Sequence, residues 1–220
     1  MLQTAIKPPP RSSDETGTPP IVLRLSPLIQ LTEEQFADFC ELNQDLRIER
    51  TATGELEIMS PTKGYTGATE LEAGAQLRNW ARRHRGGMAF GSNMGYTLPS
   101  GAMRSPDASW VPTSRLSALT PEDENRFFPI CPDFVIEVRS LTDRLSVLQA
   151  KMREYIANGV QLGWLIDTQT KRVHIYRPNQ AVQTLENPDT ISADPILPGF
   201  TLDLTEIWNP WHRLSPESQE

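Results

Sequence analysis

The sequence predicts an α/β domain that mixes helices and strands along its length, and three stretches carry the prediction. Over residues 66–85 apolar positions recur at helical spacing. The segment DFVIEV at 133–138 is a strand rich in β-branched residues, and Leu145, Leu148, Met152, Tyr155 and Ile156 then mark an amphipathic helix ending at Asn158-Gly159. GWLID and RVHIYRP follow as a hairpin around TQTK.

Each element can be justified in order. Residues 1–20 are rich in Pro, Ser and Thr and lack an apolar signal region, so a disordered N-terminal extension is expected there. Residues 21–31 are apolar but about half as long as a membrane span, and they contain Arg24 and Pro27. A Thr32-x-x-Gln35 capping box opens a short extra N-terminal helix packed through Phe36, Phe39, Cys40 and Leu42. In the next segment Leu46 and Ile48 alternate with Arg47 and Glu49, the chain turns near Thr53-Gly54, and Leu56 and Ile58 resume, which is an extra β-hairpin.

In the helix over 66–85, Ala73, Leu77, Trp80, Ala81 and His84 share one side, while Arg78, Arg82 and Arg85 form a separate basic stripe. Two strand-like stretches, MAFGSNMGYTL and DASWV, come next, separated by the turn-rich PSGAMRSP. Beyond the GWLID hairpin, AVQTLE and LPGFTLDL read as edge elements and WNPWHRLSPESQE as a frayed end. A single domain over 21–208 and a flexible tail over 209–220 are therefore expected.

Composition bounds the function. Cys40 and Cys131 lie far apart with no zinc-ligand spacing, which suits a reducing cytoplasm and small core residues. No membrane role is expected. The net charge of −7 disfavours broad phosphate binding, so any DNA contact has to be local, and Arg78, Arg82, Arg83 and Arg85 supply the one basic cluster. There is no GxSxG elbow, no P-loop and no dinucleotide-binding glycine pattern, and of three histidines His84 is expected to be packed.

The acidic residues in unexpected places point to chemistry. Glu70 falls in the middle of the apolar face of its helix, where a carboxylate must be paired, protonated or bound to a metal; the alternative is a surface acid favouring the helix dipole. On the strand DFVIEV, Phe134, Ile136 and Val138 share one face, and Asp133, Val135, Glu137 and Arg139 the other. A plain Glu137–Arg139 pair on a solvent face is the alternative there, as a turn role is for Asp107 at the start of DASWV.

SPDASWV followed by PDFVIEVRS and LQAKMREYIANGVQLGWLID resembles the Uma-type family of putative endonucleases, within the PD-(D/E)XK restriction-endonuclease-like superfamily. The resemblance runs from about residue 31 to 208 and implies an αβββαβ core with a mixed central sheet. It further implies that Asp107 and Glu137 are the paired metal-binding acids, joined by Glu70, and that Mg²⁺, or Mn²⁺ in its place, is the cofactor of a DNA-cutting enzyme. The usual lysine two residues after the acid is replaced by Arg139; Lys151 on the following helix is the expected substitute, with Arg139 as an assistant and a solvated surface lysine as the alternative. DNA is the implied partner, bound by Arg78, Arg82 and Arg85, and a homodimer is compatible by analogy with related nucleases. A catalytically silent module that binds nucleic acid or protein is the competing reading.

Overall fold

A computed structural model describes residues 20–123 and 126–211 of the chain. Most of the expected N-terminal extension, and residues 212–220 of the expected tail, lie outside the described residues.

The N-terminal part builds a small second sheet. A short strand β1 (Ile21–Leu23) precedes helix α1 (Glu33–Leu42), whose capping box forms as expected: the Thr32 hydroxyl accepts from the Gln35 backbone and the Gln35 side chain accepts from the Thr32 N–H. Phe36 is buried, but Leu42 is 85 % exposed because it lies in the last turn, facing away from the sheet that receives Phe36. The expected hairpin is β2 (Arg47–Arg50) and β3 (Leu56–Met59), paired antiparallel with Ile48 opposite Ile58.

Helix α2 (Gly64–His84) buries Ala73, Leu77, Trp80 and Ala81 as its periodicity predicts, and its last turn carries Arg82, Arg83 and His84, which favour the helix C-terminus. His84 is not enclosed. It is exposed and stacks on Trp80 with ring centroids 4.8 Å apart, because it lies beyond the last turn that the sheet covers.

After α2 the chain alternates between two sheets. Strand β4 (Gly87–Gly91) enters the main sheet, β5 (Tyr96–Thr97) and β6 (Met103–Arg104) join the small one, and β7 (Ala108–Pro112) returns to the main one. The stretch PSGAMRSP is therefore more than a turn, since its Met103 pairs with Arg50 and both its strand residues are buried. A one-turn helix α3 (Thr113–Leu116) begins the long loop before β8 (Phe134–Arg139).

Helix α4 (Leu145–Ala157) carries the chain from β8 to β9 (Leu162–Asp167), which runs parallel to β8. A crossover of this kind is what two adjacent parallel strands require. The hairpin partner of β9 is β10 (Arg172–Tyr176), and β11 (Gln183–Glu186) forms the edge. The main sheet has the order β11-β10-β9-β8-β7-β4, with every pair except β8–β9 antiparallel, so the mixed α/β architecture expected from the sequence is the one adopted. One face packs on α2 through Phe134, Ile136 and Trp164; the other packs Val135 and Leu165 against Met152 and Tyr155 of α4.

The C-terminal segment departs from expectation. It forms a ribbon of β12 (Thr190–Ser192) and β13 (Thr201–Asp203), then a turn of helix α5 (Thr205–Trp208). Leu197, Phe200, Leu202 and Leu204 of LPGFTLDL sit in the main core, with Phe200 stacked on Trp164 at 5.9 Å, so this is no edge. Trp208 is not frayed: its indole N–H donates to the Pro188 carbonyl at 2.8 Å, and the Tyr65 hydroxyl donates to the Trp208 carbonyl at 3.0 Å. A helix face as wide and apolar as that of α2 needs covering on the flank the sheet leaves open, and these residues cover it.

Gly87 is a position where only glycine fits. A Cβ there would overlap the Val111 carbonyl and the Trp110 ring across the β4–β7 pair. Gly87→Ala is expected to lower stability by about 1–3 kcal/mol, measured as a reduced midpoint in urea unfolding at unchanged slope.

Candidate active site

Strand alternation decides which side chains reach the site. Along β8, Phe134, Ile136 and Val138 point to α2, so Glu137 points to the side of α4. There its Oε1 accepts from the Tyr155 hydroxyl at 2.9 Å and lies 2.9 Å from Lys151 Nζ. Lys151 and Tyr155 stand one helical turn apart on α4, which brings both to one carboxylate. Asp107, just before β7, is fixed by the backbone of β8: its Oδ2 accepts from the Val138 N–H at 2.8 Å.

Glu70, Asp107, Glu137 and Lys151 all line one cavity of about 460 Å³, so the four residues singled out in the sequence are brought together. The carboxyls of Asp107 and Glu137 open to the same space. A neighbouring cavity of about 510 Å³ shares Glu70, Asp107 and Thr62 with the first and runs past Gly67 and Gly74 to Arg78. Arg82 and Arg85 are exposed farther along α2 and line neither cavity.

The solvent-face reading of Glu137 beside Arg139 does not hold. Arg139 is buried and its Nη1 is 2.9 Å from Asp167 on the parallel neighbour β9, while its Nε donates to the Asp143 carbonyl. With both ends committed it lines neither cavity, and it does not take the place of the missing lysine.

Sequence reasoning missed a second group of residues, from the small sheet. Glu49 of β2, 1 % exposed, accepts from Lys151 Nζ at 3.0 Å and from the Ser105 N–H at 3.1 Å through Oε1, and from Arg104 at 3.1 Å through Oε2. Arg104 of β6 also pairs with Glu57 and Glu154. Arg47 of β2 donates to the Ser105 carbonyl at 2.8 Å and lies 3.6 Å from Asp107 Oδ1. Alternation put Arg47 and Glu49 on the polar face of the hairpin, and that face is the one that closes over the site.

The electrostatics follow from burial and crowding. Lys151 loses solvation, but Glu137 and Glu49 outweigh that and push its ammonium up to about 12. Glu49 is also desolvated, yet Lys151, Arg104 and Arg47 together hold it below the usual carboxylate range. Glu137 is raised by burial, and by Asp107 and Glu49, against the pull of Lys151. One ammonium thus serves two carboxylates, and Glu137 is left short of positive charge. Burial and then Glu70 raise Asp107; burial also raises Glu70, to about 7, with Glu137 and Asp143 adding to it.

Among the described residues no three His, Cys, Asp or Glu side chains are already gathered around one metal-sized point. The chemistry of the donors nevertheless fits a hard divalent cation. Asp107 and Glu137 each anchor one oxygen by hydrogen bonds and keep the other free of them, and burial first, then neighbouring carboxylates, raise both, a combination that a bound cation would relieve.

Comparisons with known proteins give the family and the fold. The family described as Uma2, "Putative restriction endonuclease", matches residues 33–205. A solved structure, a putative nuclease of the DUF820 group from Anabaena variabilis, is 22 % identical; the match covers 81 % of this chain and 97 % of that one at a TM-score of 0.66, a likeness of fold. Among curated proteins none matches. No helix among the described residues is long and apolar enough to cross a membrane.

Proposed function

From the premise that the chain belongs to the Uma2 family of putative restriction endonucleases, we propose that it is a metal-dependent DNA endonuclease cutting phosphodiester bonds at the Asp107–Glu137–Lys151 site. One observation carries the reading: Lys151, reaching from α4, bridges Glu137 and Glu49 on the cavity that Asp107 and Glu70 also line. The lysine reaches the Glu137 carboxylate from the following helix, at 2.9 Å, and not from the strand position two residues on.

Asp107 and Glu137, with Glu70, would hold Mg²⁺ or Mn²⁺, which when bound supplies Lewis-acid polarisation of the phosphate and a more acidic water. The chain's own residues do the rest. Lys151 stays protonated near neutral pH, so it acts as a donor: it orients the attacking water and offsets the charge that develops on the phosphoryl oxygens. Tyr155 and the Val138 N–H fix the two carboxylates, which removes reorganisation at the moment of reaction. The second cavity gives the DNA strand a path from Glu70 to Arg78, and Arg82 and Arg85 continue it at intervals of about one helical turn. This basic strip meets phosphates locally while the chain as a whole remains acidic.

The test is incubation of supercoiled circular DNA with the protein and Mg²⁺ or Mn²⁺, comparing wild type with Asp107→Ala, and with chelator added. Nicking by the wild type alone, lost with chelator, is the expected result. Equal nicking by both proteins, or none by the wild type with either ion, would overturn the proposal; arginine-dependent binding without nicking would establish the silent module instead.

A further inference from the structure

Both arginines that line the catalytic cavity have an enclosed N–H with no acceptor. Arg47 and Arg144 are the residues concerned, and in both it is Nε. No other arginine or lysine nitrogen among the described residues is enclosed without a partner, and none of the remaining unpartnered buried groups lines this cavity. Both side chains are only partly buried, and partly open guanidinium groups lining one cavity suit a ligand that brings anionic acceptors to them.

The positions of the two groups identify the ligand. Arg47 is held by the Ser105 carbonyl beside Asp107, so its guanidinium is fixed next to the proposed metal ligands instead of being free to swing. Arg144 occupies the N-cap position of α4, a helix whose first turn has no side-chain cap. Lys63 occupies the same position on α2, also without a side-chain cap, and it too lines the cavity. Two helix N-termini, each led by a cation, thus border a cavity whose floor is acidic. The floor suits a cation and the rim suits phosphate oxygens, which fork-shaped guanidinium groups and exposed helix N–H groups bind well.

Resting on the nuclease reading above, we propose that Arg47 and Arg144 form a two-point phosphate clamp for one nucleic-acid strand. Arg47 engages a non-bridging oxygen of the scissile phosphate beside Asp107. Arg144, with the start of α4, engages an adjoining phosphate of the same strand. The strand is thereby placed by its backbone and not by its bases, so the clamp is indifferent to sequence.

The probe is thymidine 3′,5′-bisphosphate, a nucleoside with a phosphate on each side, titrated calorimetrically into wild type, Arg47→Met, Arg144→Met and the corresponding Arg→Lys variants in Mg²⁺. Each Met variant is expected to weaken binding at least tenfold, and each Lys variant to recover only part of the loss, because an ammonium restores charge but not the fork. Thymidine 5′-monophosphate is expected to bind the wild type more weakly and to respond to only one of the two arginines. Melting temperatures identify any variant that fails to fold; the half-buried Arg144, away from the carboxylate cluster, keeps the test decisive if Arg47→Met is lost. Wild-type affinity in a folded Arg144→Met protein, or no bisphosphate binding by the wild type, would overturn the clamp. Nicking assays run in parallel separate the two readings. Active enzyme with arginine-independent binding would sink the clamp alone, and arginine-dependent binding without nicking in Mg²⁺ or Mn²⁺ would sink the nuclease reading alone.

Discussion

Lys151→Met is expected to lower the rate of DNA nicking by about 10²–10³-fold, the usual cost of removing one preorganised donor from a reacting centre. The direction of the accompanying change in metal affinity makes the prediction specific. Lys151 Nζ lies 2.9 Å from Glu137 and 3.0 Å from Glu49, and so competes with any cation for those oxygens. Its removal leaves more negative charge on the cavity, so the Mg²⁺ concentration needed for half-maximal activity should stay the same or fall while the maximal rate collapses. A milder metal-ligand variant such as Asp107→Asn, which keeps one oxygen donor, should do the reverse and raise that concentration. Arg139→Lys, which restores the familiar spacing in sequence, should not rescue Lys151→Met, because position 139 is tied to Asp167 at 2.9 Å. The measurement is initial nicking rate against Mg²⁺ at saturating DNA. A wild-type maximal rate in Lys151→Met would show that the lysine has no part in the chemistry, and rescue by Arg139→Lys would show that position 139 is not held away from the site by Asp167.

The four residues at this centre were legible in the sequence for a definite reason. Periodicity shows where a charged residue interrupts an apolar face, and Glu70 on α2 and Glu137 on β8 both do so. The resemblance added Asp107 and Lys151, which periodicity alone left as a turn residue and a surface lysine. Glu49, Arg47 and Arg104 were not legible, because two-residue alternation distinguishes the faces of a strand without saying which face meets solvent. That depends on what packs over it, and here the packing is long-range: β2 meets β6 more than fifty positions later, with Arg50 opposite Met103. The two-residue strands β5 and β6 are too short to have a period, so the segment holding Arg104 looked like a turn. The C-terminal ribbon was misjudged in the same way, since its Pro and Gly punctuation hid Leu197, Phe200 and Leu202, which complete the core against α2.

Arg104→Leu is expected to destabilise the protein by about 3–5 kcal/mol, the range for breaking a buried ion pair from one side. The side chain is 7 % exposed and reaches three carboxylates on three elements: Glu49 on β2 at 3.1 Å, Glu57 on β3, and Glu154 on α4 at 2.5 Å. Burial alone would make its guanidinium less basic, but Glu49 and Glu57 outweigh burial and hold it above the ordinary arginine value, so it is a permanent cation. Leucine fills much of the volume and leaves the three acids facing one another, with Lys151 and Arg47 left to offset Glu49. The cost should therefore arise from the stranded charges more than from lost packing. Glu57→Gln and Glu154→Gln, added together to Arg104→Leu, should recover more than half of the lost stability, whereas the same pair in the wild-type background should be destabilising, a coupling of opposite sign that a double-mutant cycle in urea resolves. Additive effects would mean that the three acids do not share one cation. Because Glu49 also holds Lys151 Nζ, the cycle bears on function as well: any loss of nicking that persists after stability is restored would report displacement of Lys151 by a Glu49 no longer anchored on its far side.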